Sequence, residues 1–251
     1  MFKETQPEDL NSEEAEKSKI EKKVEILRHY LETSNDDIII ECLERNRESA
    51  EAIGFGNNAT VYAVDDEFLK HLCVKEIKDK PLIKFNDPDA EFDIQDHLNN
   101  GGLKVPYAHA HVRDPKTKKE YIIMDRVMGH SIGDMIENSE SLPPNFDLQS
   151  FYQKLVTSVK KMHSLGVLHR DLHKGNVMID ENGDPVIIDF GLATYNSASS
   201  NDAYVGFCQK YNSSTGRYMP VSGLFLNDEN QLKLLRSELK SYIGTPRENG
   251  Q

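Results

Sequence analysis

The sequence predicts an α+β fold in which short strands come first and longer helices follow. Apolar and polar residues alternate in the manner of strands at residues 59–64 and 71–77, and residues 120–127 read as a further strand. Later in the chain, apolar residues recur at helical spacing, and a glycine ends the pattern: Phe151, Leu155, Val159, Met162 and then Gly166. With 251 residues, the chain is long enough to bury a sizeable core beneath these elements.

Local signals predict two further helices and two further strands. Pro88 and Asp89 begin a helix in which Glu91, Ile94 and Leu98 share one face. Residues 177–180 and 186–188 read as two strands, because the Asn182-Gly183 dipeptide between them favours a hairpin turn. Residues 231–242 read as a final helix, whereas residues 193–218 are rich in serine, asparagine and glycine and read as a loop.

Residues 1–50 differ from the rest of the chain in charge. They contain 14 acidic and 8 basic residues, a net charge of −6 that is half of the −12 of the whole chain. Asn11 and Glu14 resemble a capping box, and apolar residues at helical spacing predict an amphipathic helix over residues 12–31. Residues 38–43 form a second short helix or a strand. The apolar stripe of the first helix either packs on the strand-rich part of the fold that follows it or docks a partner protein.

The segment 168–192, LHRDLHKGNVMIDENGDPVIIDFGL, contains the most informative motifs. Asp171 follows a histidine and an arginine, Asn176 lies five residues later, and Asp189 precedes Phe190 and Gly191. The predicted hairpin folds back on itself, so Asn176 at the start of one strand and Asp189 after the other lie side by side. An aspartate that accepts the proton of an attacking hydroxyl, with an amide and a carboxylate for Mg²⁺, suits phosphoryl transfer.

This segment resembles the protein kinase superfamily, in its histidine-arginine-aspartate and aspartate-phenylalanine-glycine triplets and in their spacing. The resemblance implies a bilobal fold, with an acidic extension at residues 1–50, a small β-rich lobe at 51–124 and a hinge and curtailed helical lobe at 125–251. It implies ATP and Mg²⁺ as cofactors, Asp171 as the catalytic base, and Asn176 and Asp189 as metal ligands. No alanine-proline-glutamate motif follows Gly191. In this respect the chain resembles compact, atypical kinases of the RIO, Bud32-like and minimal bacterial or effector types.

The resemblance also implies the residues that hold the phosphates. Gly54 and Gly56 belong to a glycine-rich lid over the nucleotide, in which Ala59 replaces the third glycine. Lys75 binds the α- and β-phosphates and pairs with a glutamate of the following helix, for which Glu91 is favoured over Asp89 and Asp93. Gln95, one turn after Glu91, stands where the family usually has an apolar residue.

The adenine ring is expected between the lobes. By the same resemblance, Met124 limits the back of the pocket, and the backbones of Asp125 and Val127 supply the hydrogen bonds to the base. Val61, Cys73 and Met178 enclose the base from both sides, since Cys73 shares a strand face with Lys75. Ordinary core packing also explains Met124 and the apolar lining.

Composition excludes several other classes of protein. No run of eighteen apolar residues suggests a membrane span, and no apolar segment of the signal-peptide kind begins the chain. Three scattered cysteines, Cys42, Cys73 and Cys208, leave one unpaired in any disulfide scheme and favour a reducing cytoplasm. The net negative charge argues against nucleic-acid binding, and the histidines show no spacing that predicts a zinc site.

The acceptor of the phosphoryl group is left open by two features of the motif segment. Arg170 is typical of protein kinases and suggests a protein substrate, with Thr194, Ser197, Ser199 and Ser200 as candidate autophosphorylation sites. His173, however, stands where serine/threonine kinases carry a lysine, and it resembles aminoglycoside and choline phosphotransferases. The favoured function is a serine/threonine protein kinase; a small-molecule phosphotransferase and a pseudokinase binding module are the alternatives.

Overall fold

The computed structural model describes residues 50–56, 58–64, 69–78, 83–84, 88–138, 141–144, 146–195, 209–212, 217–220 and 228–244. The strands are β1 (Ala52–Phe55), β2 (Ala59–Ala63), β3 (Leu72–Ile77), β4 (Ile83–Lys84), β5 (Ala108–Arg113), β6 (Glu120–Asp125), β7 (Gly129–Ser131), β8 (Val167–Leu168), β9 (Val177–Asp180), β10 (Pro185–Ile187), β11 (Thr194–Tyr195), β12 (Gln209–Asn212) and β13 (Arg217–Pro220). The helices are α1 (Pro88–Asn100), α2 (Ile132–Asn138), α3 (Leu148–Ser164) and α4 (Asp228–Gly244).

A five-stranded antiparallel sheet in the order β1-β2-β3-β6-β5 forms the small lobe. Alternation along β3 divides its side chains between the two faces of the sheet. Leu72 and Val74 join an apolar cluster on one face, and Cys73 joins another cluster on the opposite face. Lys75, two residues after Cys73, is therefore directed to the second face, where it is buried.

Helix α1 lies against this sheet and contacts β5 and β6. Proline suits the first turn of a helix because its missing N–H would have no partner there, and Pro88 begins α1. The buried face carries Glu91, Ile94, Gln95 and Leu98, as the spacing of Glu91, Ile94 and Leu98 predicted. Ile94 and Leu98 belong to the main core, so α1 packs against both lobes.

Helix α3 is the centre of the large lobe. The side chain of its N-cap residue, Asp147, accepts a hydrogen bond from the backbone N–H of Ser150, and Gly166 with φ +78° follows its end. Its buried face consists of the four apolar residues that the sequence spacing indicated, Phe151, Leu155, Val159 and Met162. These residues pack with the buried leucines of α4, namely Leu232, Leu235 and Leu239.

The β9–β10 hairpin forms at the residues that the sequence indicated, with Val186 opposite Met178 and Gly183 in a left-handed turn conformation (φ +79°). The N–H of Ile188 donates to the carbonyl of Asn176 at 3.0 Å. The residues that precede β9 and follow β10 are thereby held beside each other.

The expectation that residues 193–218 are loop is wrong in part, because β11, β12 and the start of β13 fall within them. Strand β12 pairs with β13 and with β4, which lies more than 120 residues earlier in the chain. Such a pairing leaves no local signal in the sequence.

The helix expected at residues 12–31 and the element at 38–43 lie outside the described residues. Among the described helices, none has both the length and the apolar character needed to cross a membrane.

Candidate active site

Asp171 lies in the loop between β8 and β9, and the carboxylate of Asp228 holds this loop in place through hydrogen bonds. Asp228, in the first turn of α4, accepts hydrogen bonds from the backbone N–H groups of His169 (2.9 Å) and Arg170 (2.8 Å). Arg170 and Asp189 both adopt left-handed φ values, +67° and +62°. Non-glycine residues rarely adopt this conformation, which costs about 1–3 kcal/mol and is concentrated at functional sites.

Asp228 was missed by the sequence reading. It is 4% exposed and also accepts a hydrogen bond from His163 Nε2 at 2.9 Å. Burial raises the pKa of Asp228, but the hydrogen bonds from His163 and from the two backbone N–H groups outweigh it and hold the pKa below its ordinary value. The available signal was an acidic residue shortly before an apolar helical pattern, which is typical of a helix start.

His169 is completely buried and packs against Phe190, with 5.0 Å between the ring centroids. Burial lowers its pKa, so the ring is neutral. Its Nδ1 accepts from the N–H of Asp171 at 3.3 Å, which leaves Nε2 to donate to the carbonyl of Ile188 at 3.1 Å. The histidine thus links Asp171 to the end of the β9–β10 hairpin.

The carboxylate of Asp171 is held by two neighbours. Asn176 Nδ2 donates to Asp171 Oδ2 at 3.2 Å and to its backbone carbonyl at 2.9 Å. His173 Nε2 lies 3.6 Å from the same Oδ2, and His173 Nδ1 accepts from the N–H of Gly175 at 2.9 Å. The neighbouring Lys174 is directed elsewhere, since its Nζ pairs with Glu137 Oε1 of α2 at 2.8 Å.

Lys75 joins the small lobe to the motif segment. Its Nζ lies 2.5 Å from Glu91 Oε1 and 2.8 Å from Asp189 Oδ1. Burial by itself lowers the pKa of Lys75, but the two carboxylates more than compensate and raise the pKa above its ordinary value, so the amine is charged. Asp89 is instead paired with His111, and Asp93 is exposed. Glu91, and neither competitor, is therefore the helix acid beside Lys75.

The two carboxylates beside Lys75 differ in environment. Burial raises the pKa of Glu91, and the charge of Lys75 only partly offsets that increase. The side chain of Asp189 is about half exposed; its partial desolvation would raise its pKa, but the Lys75 charge and the N–H of Gly191 hold the pKa below its ordinary value. A side chain at Gly191 would place its Cβ 3.3 Å from both carboxylates, so the glycine lets the backbone approach them closely.

The donor set fits Mg²⁺. Magnesium in nucleotide sites is usually bound by one or two protein carboxylates together with phosphates and water, and the amide oxygen is an equally suitable ligand. Asn176 uses its amide N–H to hold Asp171, which directs its oxygen away from that contact. The described residues contain no cluster of three or more histidine, cysteine or acidic residues arranged as metal ligands.

The lid residues close a short hairpin between β1 and β2. The N–H of Gly56 donates to the carbonyl of Ala59 at 2.9 Å, and Lys78 Nζ contacts the Gly56 carbonyl at 2.5 Å. Gly54 lies opposite Val61 in the register of the sheet. Phe55, between the two glycines, is 81% exposed. In the chain, the lid therefore immediately precedes β2, and β2 pairs with β3, the strand that carries Lys75.

Three of the four apolar residues expected around adenine lie together. Cys73 and Met124 are buried in one cluster, Val61 packs against it, and burial raises the pKa of the Cys73 thiol to about 12. Met178 lies in β9, within the small sheet of the large lobe. The N–H of Asp125 donates to the Tyr107 carbonyl at 2.9 Å. Asp125 can therefore offer adenine only its carbonyl, and Val127 follows two residues later.

A family model for the protein kinase domain matches residues 47–221, which is more than half of the chain. The chain belongs to the protein kinase family. The kinase match includes the glycine lid, Lys75, Glu91 and the motif segment. It also extends past Gly191 through β13.

Curated relatives of this chain come from a mouse, a bacterium and a plant. A form of sperm motility kinase from Mus musculus is 34% identical over 98 residues, which cover 39% of this chain and 20% of that protein. A serine/threonine-protein kinase of Corynebacterium efficiens is 28% identical over 149 residues, 56% of this chain and 28% of that protein. A CBL-interacting serine/threonine-protein kinase of Arabidopsis thaliana is 36% identical over 76 residues, 30% and 16% of the two chains. The kinase thus spans less than a third of each of these relatives.

Proposed function

We propose that this chain transfers the γ-phosphoryl group of ATP to serine or threonine hydroxyls of protein substrates. The observation that carries the proposal is the position of Lys75 Nζ, in contact with Glu91 at 2.5 Å and with Asp189 at 2.8 Å. The contact joins the small lobe, α1 and the motif segment. A charged amine held by two carboxylates is placed to bind phosphate oxygens.

Asp171 acts as the catalytic base in this proposal. Its carboxylate accepts the proton of the substrate hydroxyl as the hydroxyl oxygen attacks the γ-phosphorus, and the bond to the β-phosphate oxygen breaks to release ADP. Asn176 and His173 both lie at Oδ2. The other carboxylate oxygen, Oδ1, is then the one that receives the proton. Asn176 therefore orients the base as well as holding a metal ion.

Mg²⁺ would be held by the amide oxygen of Asn176 and the carboxylate of Asp189, together with phosphate oxygens, and would neutralise charge on the phosphates. The lowered pKa of Asp189 keeps this ligand ionised at neutral pH. Gly54 and Gly56 would allow the lid to approach the phosphates, while Lys75 binds them from the sheet.

The adenine ring would lie between Val61 and Cys73 on one side and Met178 on the other, with Met124 at the back. The carbonyl of Asp125 and the backbone of Val127 would bind its edge. The division of the chain into an acidic extension at 1–50, a small lobe at 51–124 and a hinge with large lobe at 125–251 belongs to the same proposal. The acidic extension is the candidate for docking a partner.

One observation favours a second candidate function, the phosphorylation of a small hydroxylated molecule. His173, and not a lysine, is the basic side chain at Asp171, because Lys174 is paired with Glu137. The same loop pattern resembles small-molecule phosphotransferases. Protein substrates remain favoured, since the family match and the relatives named as serine/threonine kinases describe protein kinases.

The test is an acceptor assay with γ-labelled ATP and Mg²⁺. The protein is incubated alone, with casein, and with a panel of aminoglycosides and amino alcohols, and acid hydrolysis identifies labelled amino acids. We expect label on serine and threonine of the protein itself or of casein. Label on the small molecules alone would replace the proposal with the second candidate. Tight ADP binding without transfer to any acceptor would indicate a nucleotide-binding module.

A further inference from the structure

Helix α1 carries three side-chain amides in the half that follows Glu91, and two of them, Gln95 and Asn99, are at least partly buried. Gln95 lies one turn after Glu91 on the buried face and is 1% exposed. Asn99 lies one turn further along and is half-buried. The other residues of this face, Ile94 and Leu98, are apolar and belong to the main core. Gln95 is thus a polar residue between apolar residues on the buried face of the helix.

Both amides bind the same backbone carbonyl. Gln95 Nε2 donates to the carbonyl of Pro106 at 3.0 Å, and Asn99 Nδ2 donates to it at 3.2 Å. Pro106 lies in the segment that joins α1 to β5. Because a carbonyl only accepts hydrogen bonds, this contact fixes which end of each amide faces Pro106. We call Gln95, Asn99 and the Pro106 carbonyl the amide clamp.

The clamp also contacts the nucleotide pocket. Gln95 Nε2 lies 3.7 Å from the sulfur of Met124, the side chain proposed to limit the back of the adenine site. Met124 pairs with Cys73 in the sheet, and Cys73 lies two residues before Lys75. The amide of Gln95 is therefore packed between α1 and the strands that carry the site.

Core packing does not explain the buried amide. Gln95 Oε1 is buried without a hydrogen-bond partner among the residues that the structure describes. An unsatisfied buried acceptor costs free energy, and a methionine of similar length would fill the space without that cost. An apolar residue would stabilise the fold better, so the reason for the amide lies in the orientation that its hydrogen bond imposes.

The C-terminal end of α1 is attached to the large lobe as well. His97 Nε2 lies 3.0 Å from the carbonyl of Leu165, which follows α3, and Lys104 pairs with Asp180 at 2.7 Å. Glu91, in the first half of the helix, contacts the small lobe through Lys75. A tilt of α1 about its fixed end would therefore move Glu91 relative to Lys75.

We propose that Gln95 and Asn99 are positioning residues, which hold α1 in the orientation that brings Glu91 to Lys75. The inference rests on the proposed function, because Glu91 matters for catalysis only if Lys75 binds the phosphates of ATP.

The first test is Gln95→Met, with Asn100→Ala as the control. Asn100 is an exposed amide of the same helix, which bonds Asp96. We expect Gln95→Met to reduce kcat/KM for ATP about tenfold, the rate equivalent of one hydrogen bond, while its urea midpoint stays equal or rises. The control should change neither. Transfer at the wild-type rate by Gln95→Met, or parallel loss of activity and stability, would overturn the positioning role.

The second test is a double-mutant cycle with Glu91→Gln. If Gln95 acts through Glu91, Gln95→Met has little further effect once Glu91 is replaced; independent, additive losses would refute the coupling. Hydrogen exchange of the amides at residues 92–96 supplies a readout that needs no activity, and we expect faster exchange in Gln95→Met. A wild-type protein that transfers no phosphoryl group would refute the proposed function alone, and unchanged exchange would refute the positioning role alone.

Discussion

Replacement of Glu91 by glutamine tests the electrostatic core of the site. The substitution keeps the size of the side chain and a hydrogen-bond acceptor but removes the charge that lies 2.5 Å from Lys75 Nζ. Asp189 still pairs with Lys75 at 2.8 Å, so the amine remains charged but is no longer held from the α1 side. One hydrogen bond between charged groups contributes about 1.5–3 kcal/mol, which corresponds to a loss of roughly 10- to 150-fold in kcat/KM for ATP.

The assay is the initial rate of phosphoryl transfer from labelled ATP over a range of ATP concentrations, with unfolding by urea measured in parallel. Asp93→Asn is the matched control, because Asp93 is an exposed acid of the same helix and should leave the rate within twofold of wild type. If Glu91→Gln retains the wild-type rate, or if Asp93→Asn loses as much, the assignment of Glu91 is wrong.

Three further substitutions test other parts of the structure. Asp228→Asn should lower the free energy of unfolding by about 3 kcal/mol at pH 7, because it removes a buried charge that accepts three hydrogen bonds. The folded-state pKa of Asp228 is depressed, so its contribution to the free energy of unfolding is complete above the unfolded pKa of about 3.9 and is lost as pH falls through the folded pKa. The urea midpoints of wild type and Asp228→Asn should therefore converge at low pH. A difference that stays constant with pH would contradict this. Gly175→Ala would place a Cβ 2.8 Å from Cε1 of the His173 ring and should displace the ring. We expect phosphoryl transfer to slow severalfold while the thermal midpoint stays nearly unchanged. A wild-type transfer rate would show that the ring position does not matter. Gly129→Ala should prevent folding or shift the thermal midpoint strongly, because its Cβ would lie 2.1 Å from the Ile179 carbonyl at φ +144°, and soluble protein of wild-type stability would refute the close approach.

Local patterns indicated most of the elements that position the site. The helical spacing of Phe151, Leu155, Val159 and Met162 indicated the buried face of α3, and Asn182-Gly183 indicated the β9–β10 turn. Both signals are carried by residues close together in the chain, where sequence order determines geometry. The motif spacing likewise indicated that Asn176 and Asp189 would be neighbours.

Contacts between distant parts of the chain could not be predicted in this way. The pairing of β12 with β4 and the hydrogen bonds that Asp228 accepts from the loop of Asp171 join residues whose proximity depends on the complete fold. Gln95 was recognised from the sequence as a departure from the family, but its partner Pro106 was not, because a backbone carbonyl carries no sequence signal. The same limit applied to His173 and Lys174, whose directions are decided by Asp171 and Glu137.

The most direct test of the central claim is the transfer rate of Asp171→Asn at saturating ATP and Mg²⁺, with ADP affinity measured on the same preparations. Asparagine keeps the shape of the side chain but cannot accept the proton from the substrate hydroxyl at neutral pH. We expect the transfer rate to fall by at least about a hundredfold while the ADP dissociation constant changes by less than about threefold. A variant that transfers phosphoryl groups at the wild-type rate would contradict the assignment of Asp171 and of the site built around it.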